Sequence, residues 1–345
     1  MKKKLIIWIL ILVLLLGGAG CTYYLFSIGA IGFELPEATD PAKRDLITLY
    51  AEPARPTAPP APTEPAPTEP LPTEPETSTE ANPRVISATT YFVYDLREKE
   101  FLTLSGKSTQ TTYPASITKL MTAYTALQYM QPDDTIVVGS EIQLINWDSS
   151  KAFLREGDVM TVGQCIHAML LPSGNDAAYS LAVNVGRKVS GKPGLEAQAA
   201  INVFVREMNQ VAAELGMDHS HFNNPDGMHI SSHFTCPEDL VTLMYAMMDT
   251  PVILNAAQTL KYSGALENRT ATWTNTNLLL NENTRFYEPN AMGLKTGYTS
   301  YAGNCLLSLF FDDDRLYLIG TFGCPTTLDR YLDTQKLYAD IFEEN

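Results

Sequence analysis

Six side chains in three short motifs have the types and spacing for acyl-transfer chemistry. The first motif is Ser116-Ile117-Thr118-Lys119, directly after Pro114-Ala115. A serine hydroxyl is a weak nucleophile until a base takes its proton. On a helix, positions i and i+3 share a face, so the amine of Lys119 can reach Ser116. The amine acts as a base only if burial or a second cation lowers its pKa. The helix start also offers backbone amides to a developing oxyanion. A capping serine beside a solvated lysine gives the same four letters. The second motif is Ser173-Gly174-Asn175. In a turn between helices, its hydroxyl can relay a proton and its amide can bind a carbonyl. An ordinary turn with an N-cap also fits. The third is Lys295-Thr296-Gly297, followed by Tyr298-Thr299. On a strand, its lysine and threonine can hold a carboxylate, and Gly297 leaves room for a substrate backbone. A solvated edge strand is the plainer alternative.

These motifs need a scaffold to bring them together. Thr89 to Tyr94 reads as a strand, with Phe101 to Leu104 pairing across Arg97-Glu98-Lys99. A helix is expected over 117–130, stopping at Pro132. Two more are expected over 162–171 and 177–185. The span 196–215 carries Ile201, Phe204, Val205, Met208 and Val211 at helical spacing. Residues 302–311 and 315–322 flank Asp312-Asp313-Asp314, a hairpin signal. A last helix opens after Pro325, with Leu328, Tyr331, Leu332, Tyr338 and Phe342 on one face. Strands at both ends with helices between predict an α/β fold: one sheet from distant segments plus a helical lobe.

The ordered set S-x-x-K, S-x-N, K-T-G is that of penicillin-recognising serine enzymes. Phe222-Asn223-Asn224-Pro225-Asp226-Gly227-Met228, His233, Pro237-Glu238-Asp239-Leu240 and Asn275-Thr276-Asn277-Leu278-Leu279 extend the likeness. Residues 84–345 resemble the serine D-Ala-D-Ala carboxypeptidases, the low-molecular-mass penicillin-binding proteins. The resemblance implies a mostly antiparallel sheet flanked by helices, as in serine β-lactamases, with the active site between sheet and helical lobe. It implies Ser116 as the acylated nucleophile, Lys119 as general base and Ser173 as proton shuttle. Asn175 would contact the substrate amide. Lys295 would lower the pKa of Lys119 and, with Thr296, face the terminal carboxylate of the peptide, while Gly297 would leave room for the substrate backbone. Backbone amides of Ser116 and Tyr298 would form the oxyanion hole. The implied reaction removes the terminal D-Ala from peptidoglycan stem pentapeptides, with β-lactams as covalent inhibitors and no cofactor. The stretch 223–233 is expected only to shape the helical lobe. Many members add a β-rich domain and a C-terminal amphipathic helix, neither of which is expected here. A D,D-endopeptidase or transpeptidase would use the same residues. A β-lactamase would need a deacylating glutamate segment, and none is evident. An inactive wall-binding scaffold would not need the six motif side chains.

The 345 residues carry 39 acidic against 24 basic side chains, a net charge of −15, which argues against a nucleic-acid partner. Five cysteines are too scattered for a disulfide framework, although Cys305 and Cys324 could meet across the terminal hairpin if the register allows. No H-E-x-x-H pattern is present, and His219-Ser220-His221 lacks a cysteine or carboxylate at ligand spacing, so no metal is expected.

The N-terminus addresses the chain to a membrane. Met1-Lys2-Lys3-Lys4 precedes an apolar run over 5–16, then Gly17-Gly18-Ala19-Gly20 and Cys21. Residues 5–33 could span a bilayer, or Cys21 could be lipidated, or the segment could be cleaved. Each reading puts the remainder on the extracytoplasmic side. Residues 36–83 hold 13 of the 22 prolines and Pro-Thr-Glu-Pro three times, the composition of an extended linker. The expected organisation is an anchor over 1–35, a linker over 36–83 and a catalytic domain over 84–345.

Overall fold

The computed structural model describes residues 85–343, except Asp313. The anchor with Cys21 and the whole linker over 36–83 lie outside the described residues.

Five antiparallel strands form the main sheet, in the order β2-β1-β9-β8-β7. β1 (Thr90–Asp95) and β2 (Glu100–Leu104) come from the start of the described chain. β7 (Ala291–Thr299), β8 (Gly303–Asp312) and β9 (Arg315–Cys324) come from its end. β1 pairs with β9, setting Val93 opposite Ile319. The sheet therefore closes residues more than two hundred positions apart, and β7 is left as an edge.

Alternation along the strands separates two cores. Val93, Leu306, Phe310, Tyr317 and Ile319 face α7 (Thr327–Glu343), packing against Tyr331, Leu337 and Tyr338. Asp333 of α7 ties down the chain leading into β1, accepting from the backbone N–H groups of Ser87 and Ala88. The opposite sheet face meets the helical lobe. That lobe holds α1 (Thr118–Tyr129), α2 (Val162–Leu170), α3 (Asn175–Ser190), α4 (Ala197–Leu215), α5 (Pro237–Met248) and α6 (Pro251–Gln258). Two short hairpins, β3 (Thr135–Val137) with β4 (Val159–Thr161) and β5 (Lys261–Ala265) with β6 (Thr270–Thr274), complete it.

Local chemistry explains the helix ends. Thr161 and Gln164 form a reciprocal capping box on α2. α3 stops at Gly191 and α4 at Gly216, both left-handed. The helix expected over 117–130 divides into a 3-10 turn, Ala115–Ile117, and α1. The helix expected over 177–185 is longer, so Asn175 belongs to its first turn and Gly174 is the N-cap. In the terminal hairpin Asn304 faces Cys324, and an irregularity separates that pair from Leu306–Thr321. Cys305 and Cys324 are both free thiols.

The loop before His233 presses on the turn that carries Ser116. Gly227 has φ +86°, and a Cβ there would fall 1.8 Å from the carbonyl oxygen of Ala115. Ala115 is itself at φ +47°, unusual for a residue with a side chain. Gly227→Ala should cost roughly 2–4 kcal/mol, from a left-handed alanine and a backbone clash. Urea unfolding should show a lower midpoint at unchanged slope. A wild-type midpoint would mean the two loops can move apart freely.

Candidate active site

The amine of Lys119 is the centre of the site. It is fully buried. It donates to Ser116 Oγ at 2.7 Å, Asn175 Oδ1 at 2.8 Å and the carbonyl oxygen of Asp226 at 2.9 Å. These partners come from the 3-10 turn, the first turn of α3 and the loop after α4. Ser116 Oγ also reaches the Asp226 carbonyl, at 3.4 Å. The Asp226 carbonyl was not foreseen. A main-chain oxygen leaves no mark on residue type, and its only signal was the neighbouring Pro225-Asp226-Gly227.

This arrangement prepares Lys119 as a base. A neutral amine keeps two N–H groups and one lone pair. Asn175 Oδ1 and the Asp226 carbonyl can only accept, so they take the two N–H groups. The lone pair is then left for the hydroxyl proton of Ser116. Burial lowers the Lys119 pKa to about 8, against the opposing pull of the carboxylates of Asp226 and Asp176. At pH 7 about one amine in ten is then neutral.

Ser173 has φ +62° and is nearly buried at the turn before α3. Such a conformation in a residue with a side chain marks a constrained position. Gly174 between Ser173 and Asn175 is sterically required. A Cβ there would lie 2.6 Å from the carbonyl oxygen of Ala168 and 2.8 Å from Asp176 Oδ1. Asp176 in turn accepts the N–H groups of Ala152 and Leu154, which fixes the loop beside the site.

Lys295, Thr296 and Gly297 lie on edge strand β7. Lys295 is buried, and its amine donates to the Thr296 carbonyl at 3.0 Å. Its pKa is well below the ordinary lysine value, through burial first, then the charge of Lys119, then that of Arg330. Burial is thus the first cause of the shift for both lysines. Thr296 Oγ1 meets Thr276 Oγ1 at 2.7 Å. Gly297 packs tightly on the turn that carries Ser116: a Cβ there would lie 3.0 Å from the Ala115 Cβ and 3.1 Å from Ser116 N. This close approach sets the backbone of Ser116 against the residue preceding Tyr298. Arg330 of α7 is a second buried cation here, donating to the Gly297 carbonyl at 3.3 Å. It was missed because it lies in a helix remote from every motif.

His233 bridges Thr118 Oγ1, at 2.8 Å, and the N–H of Asn223, at 3.1 Å. Burial holds its pKa down to about 3, so its ring is neutral and structural. The stretch 223–233 therefore positions the Asp226 carbonyl on the base. The chain also folds Cys236 and Asp239 beside His219, with their ligand-type atoms within 4.8 Å. Sequence spacing had concealed this proximity. Cys236 Sγ accepts the Asp239 N–H at the start of α5, and Asp239 accepts from His219 N and Ser220 Oγ. The cluster thus serves as a helix cap.

The Asp226 carboxyl tests the electrostatics. It is buried, its Oδ2 has no partner among the described residues, and its charge raises the Lys119 pKa. Asp226→Asn should lower that pKa further and move the acidic limb of acylation to lower pH. The rate at pH 6 should rise on the order of two- to tenfold. An unmoved limb in a stopped-flow pH profile would remove the carboxyl from control of the base.

Comparison with known proteins agrees with the motifs. Residues 76–319 match the family of D-alanyl-D-alanine carboxypeptidases, peptidase family S11. A D-alanyl-D-alanine carboxypeptidase from Streptomyces sp. (strain K15) is 31% identical over 202 residues, covering 56% of this chain. The chain spans 66% of that relative's length, just under two thirds. A D-alanyl-D-alanine endopeptidase from Pseudomonas aeruginosa is 30% identical over 236 residues, covering 65% of this chain and 71% of the relative. The crystal structure of the Streptomyces K15 DD-transpeptidase superposes with a TM-score of 0.67 at 26% identity, over 76% of this chain and 100% of that one. The antiparallel sheet, the flanking helices and the ordered motifs are therefore those of a penicillin-binding-protein fold. By sequence match and by fold, the chain belongs to the D-alanyl-D-alanine carboxypeptidase family of serine peptidases.

Proposed function

We propose that this chain is a serine-type D-Ala-D-Ala carboxypeptidase acting on peptidoglycan stem pentapeptides and acylated by β-lactams. The observation that carries the reading is the 2.7 Å contact between a fully buried lysine amine and Ser116 Oγ. The substrate's terminal carboxylate binds between Lys295, Thr296 and Arg330. Lys119 Nζ takes the hydroxyl proton as Ser116 Oγ attacks the carbonyl carbon of the penultimate D-Ala. The oxyanion draws on the amides of Ser116 and Tyr298. Ser173 relays the proton from Lys119 to the departing amine, so the C–N bond breaks, D-Ala leaves and Lys119 is neutral again. Water then attacks the acyl ester, with Lys119 again as base, and releases the tetrapeptide and Ser116. A cross-linked dimer places the same bond in the same cleft, so the products of pure muropeptides separate carboxypeptidase from endopeptidase action. An inactive scaffold would have no reason to keep the lysine buried and pointed at a serine.

Labelled penicillin should attach covalently at Ser116, and Ser116→Ala should abolish labelling in a protein with wild-type circular dichroism. Lys119→Ala should slow acylation about 10²–10⁴-fold. Continued labelling of Ser116→Ala at another residue would reject the assignment.

We also propose an extracytoplasmic location with attachment to the membrane through residues 1–35. The basic start and apolar run over 5–16 support it. The full chain should fractionate with membranes and be accessible to external protease. Cys21→Ala should release it only if lipidation is the anchor. Recovery from the cytosol would overturn this reading.

A further inference from the structure

A neutral cavity of about 630 Å³ opens beyond the end of β7. We propose that it is a subsite for the N-acetylated sugar that carries the stem peptide, a proposal that rests on the carboxypeptidase reading above.

Position is the first argument. A substrate whose carboxylate sits at Lys295 and Thr296, and whose scissile carbonyl sits at the Tyr298 amide, runs antiparallel to β7. Its remaining residues must continue past Tyr298 toward Ser300 and Tyr301, and all three line the cavity. Reach is the second. Four extended stem residues cover about 13 Å. The cavity follows one end of the sheet from Tyr298 on β7, past Gly303 on β8 and Cys324 on β9, to Thr90 on β1. Three strand spacings make about 14 Å. The far end is therefore where the sugar arrives.

Chemistry is the third. Nine of the sixteen lining residues carry a hydroxyl, and none carries a charge. The stem's carboxylates would find no cation there, unlike in the catalytic cleft with Lys295 and Arg330. A sugar offers hydroxyls and an acetamide to groups such as Thr111, Thr112 and Ser231, and an apolar C–H face to an aromatic ring. Tyr301 supplies that ring. It is 71% exposed, yet stacked on His229 at 3.9 Å with an interplanar angle of 11°. His229 in turn meets Tyr113 edge-on at 4.6 Å. The platform is thus ordered beforehand, and binding loses little side-chain freedom.

The test uses the full chain with Ser116→Ala, which binds without turnover, and two probes: the disaccharide-pentapeptide and the same pentapeptide without sugar. Calorimetry should show the sugar-bearing probe binding about tenfold more tightly. Adding Tyr301→Ala should remove that advantage and leave the pentapeptide affinity unchanged. Penicillin acylation of Tyr301→Ala alone should match wild type. Equal affinity for the two probes, or an equal loss for both on Tyr301→Ala, would overturn the subsite while sparing the carboxypeptidase reading. Failure of both probes to bind would overturn the two together.

Discussion

Keeping one amine out of water is the constraint on which this structure depends. Lys119 in solvent would hold its proton near pH 10 and could not activate a serine. Burial makes it a base, but a buried ammonium needs acceptors on every N–H. The chain supplies them from three distant segments: Ser116, Asn175 and the carbonyl of Asp226. Removing any one leaves an unpaired polar atom in a dry interior. The nucleophile turn, the start of α3 and the loop after α4 are therefore fixed relative to one another by the same nitrogen that does the chemistry.

Holding that geometry strains the backbone around it. Ala115 and Ser173 both occupy left-handed conformations beside catalytic side chains. Gly227 approaches the Pro114–Ser116 turn closer than any side chain would permit, and Gly297 packs tightly on the same turn. The sheet and the α7 core are the counterweight. Tyr317, Phe310, Tyr331 and their neighbours are buried and closely stacked, so the site rests on a rigid wall. Strain of a kcal/mol or so per residue persists only where surrounding packing overdetermines it.

Charge is distributed against the overall balance of the protein. A chain of net charge −15 places Lys119, Lys295 and Arg330 together at its reactive centre. Asp176 and Asp226 on the helical side partly offset Lys119, whereas the charges of Lys119 and Arg330 push the Lys295 pKa further down. The two amines thus have different neighbours: carboxylates beside Lys119, cations beside Lys295. The distinction follows from which wall of the cleft each amine leans on.

The three motifs and their order along the chain are legible in the residues alone. Residue types at i and i+3, and the short S-x-N and K-T-G strings, are local, and local spacing is visible without coordinates. The strands of the main sheet, α1, α4 and the terminal hairpin were equally legible, because hydrophobic periodicity is a local property. What contacts those residues was not. The Asp226 carbonyl carries no residue-type signature. Arg330 acts from a helix whose sequence only looks amphipathic. The tight packing of Gly297 on the nucleophile turn leaves no mark in the K-T-G string. His219, Cys236 and Asp239 come together although their spacing argued against it. Only tertiary structure decided these points. Close approach of segments separated along the chain is set by the joint packing of sheet and lobe, and no single stretch of sequence encodes it.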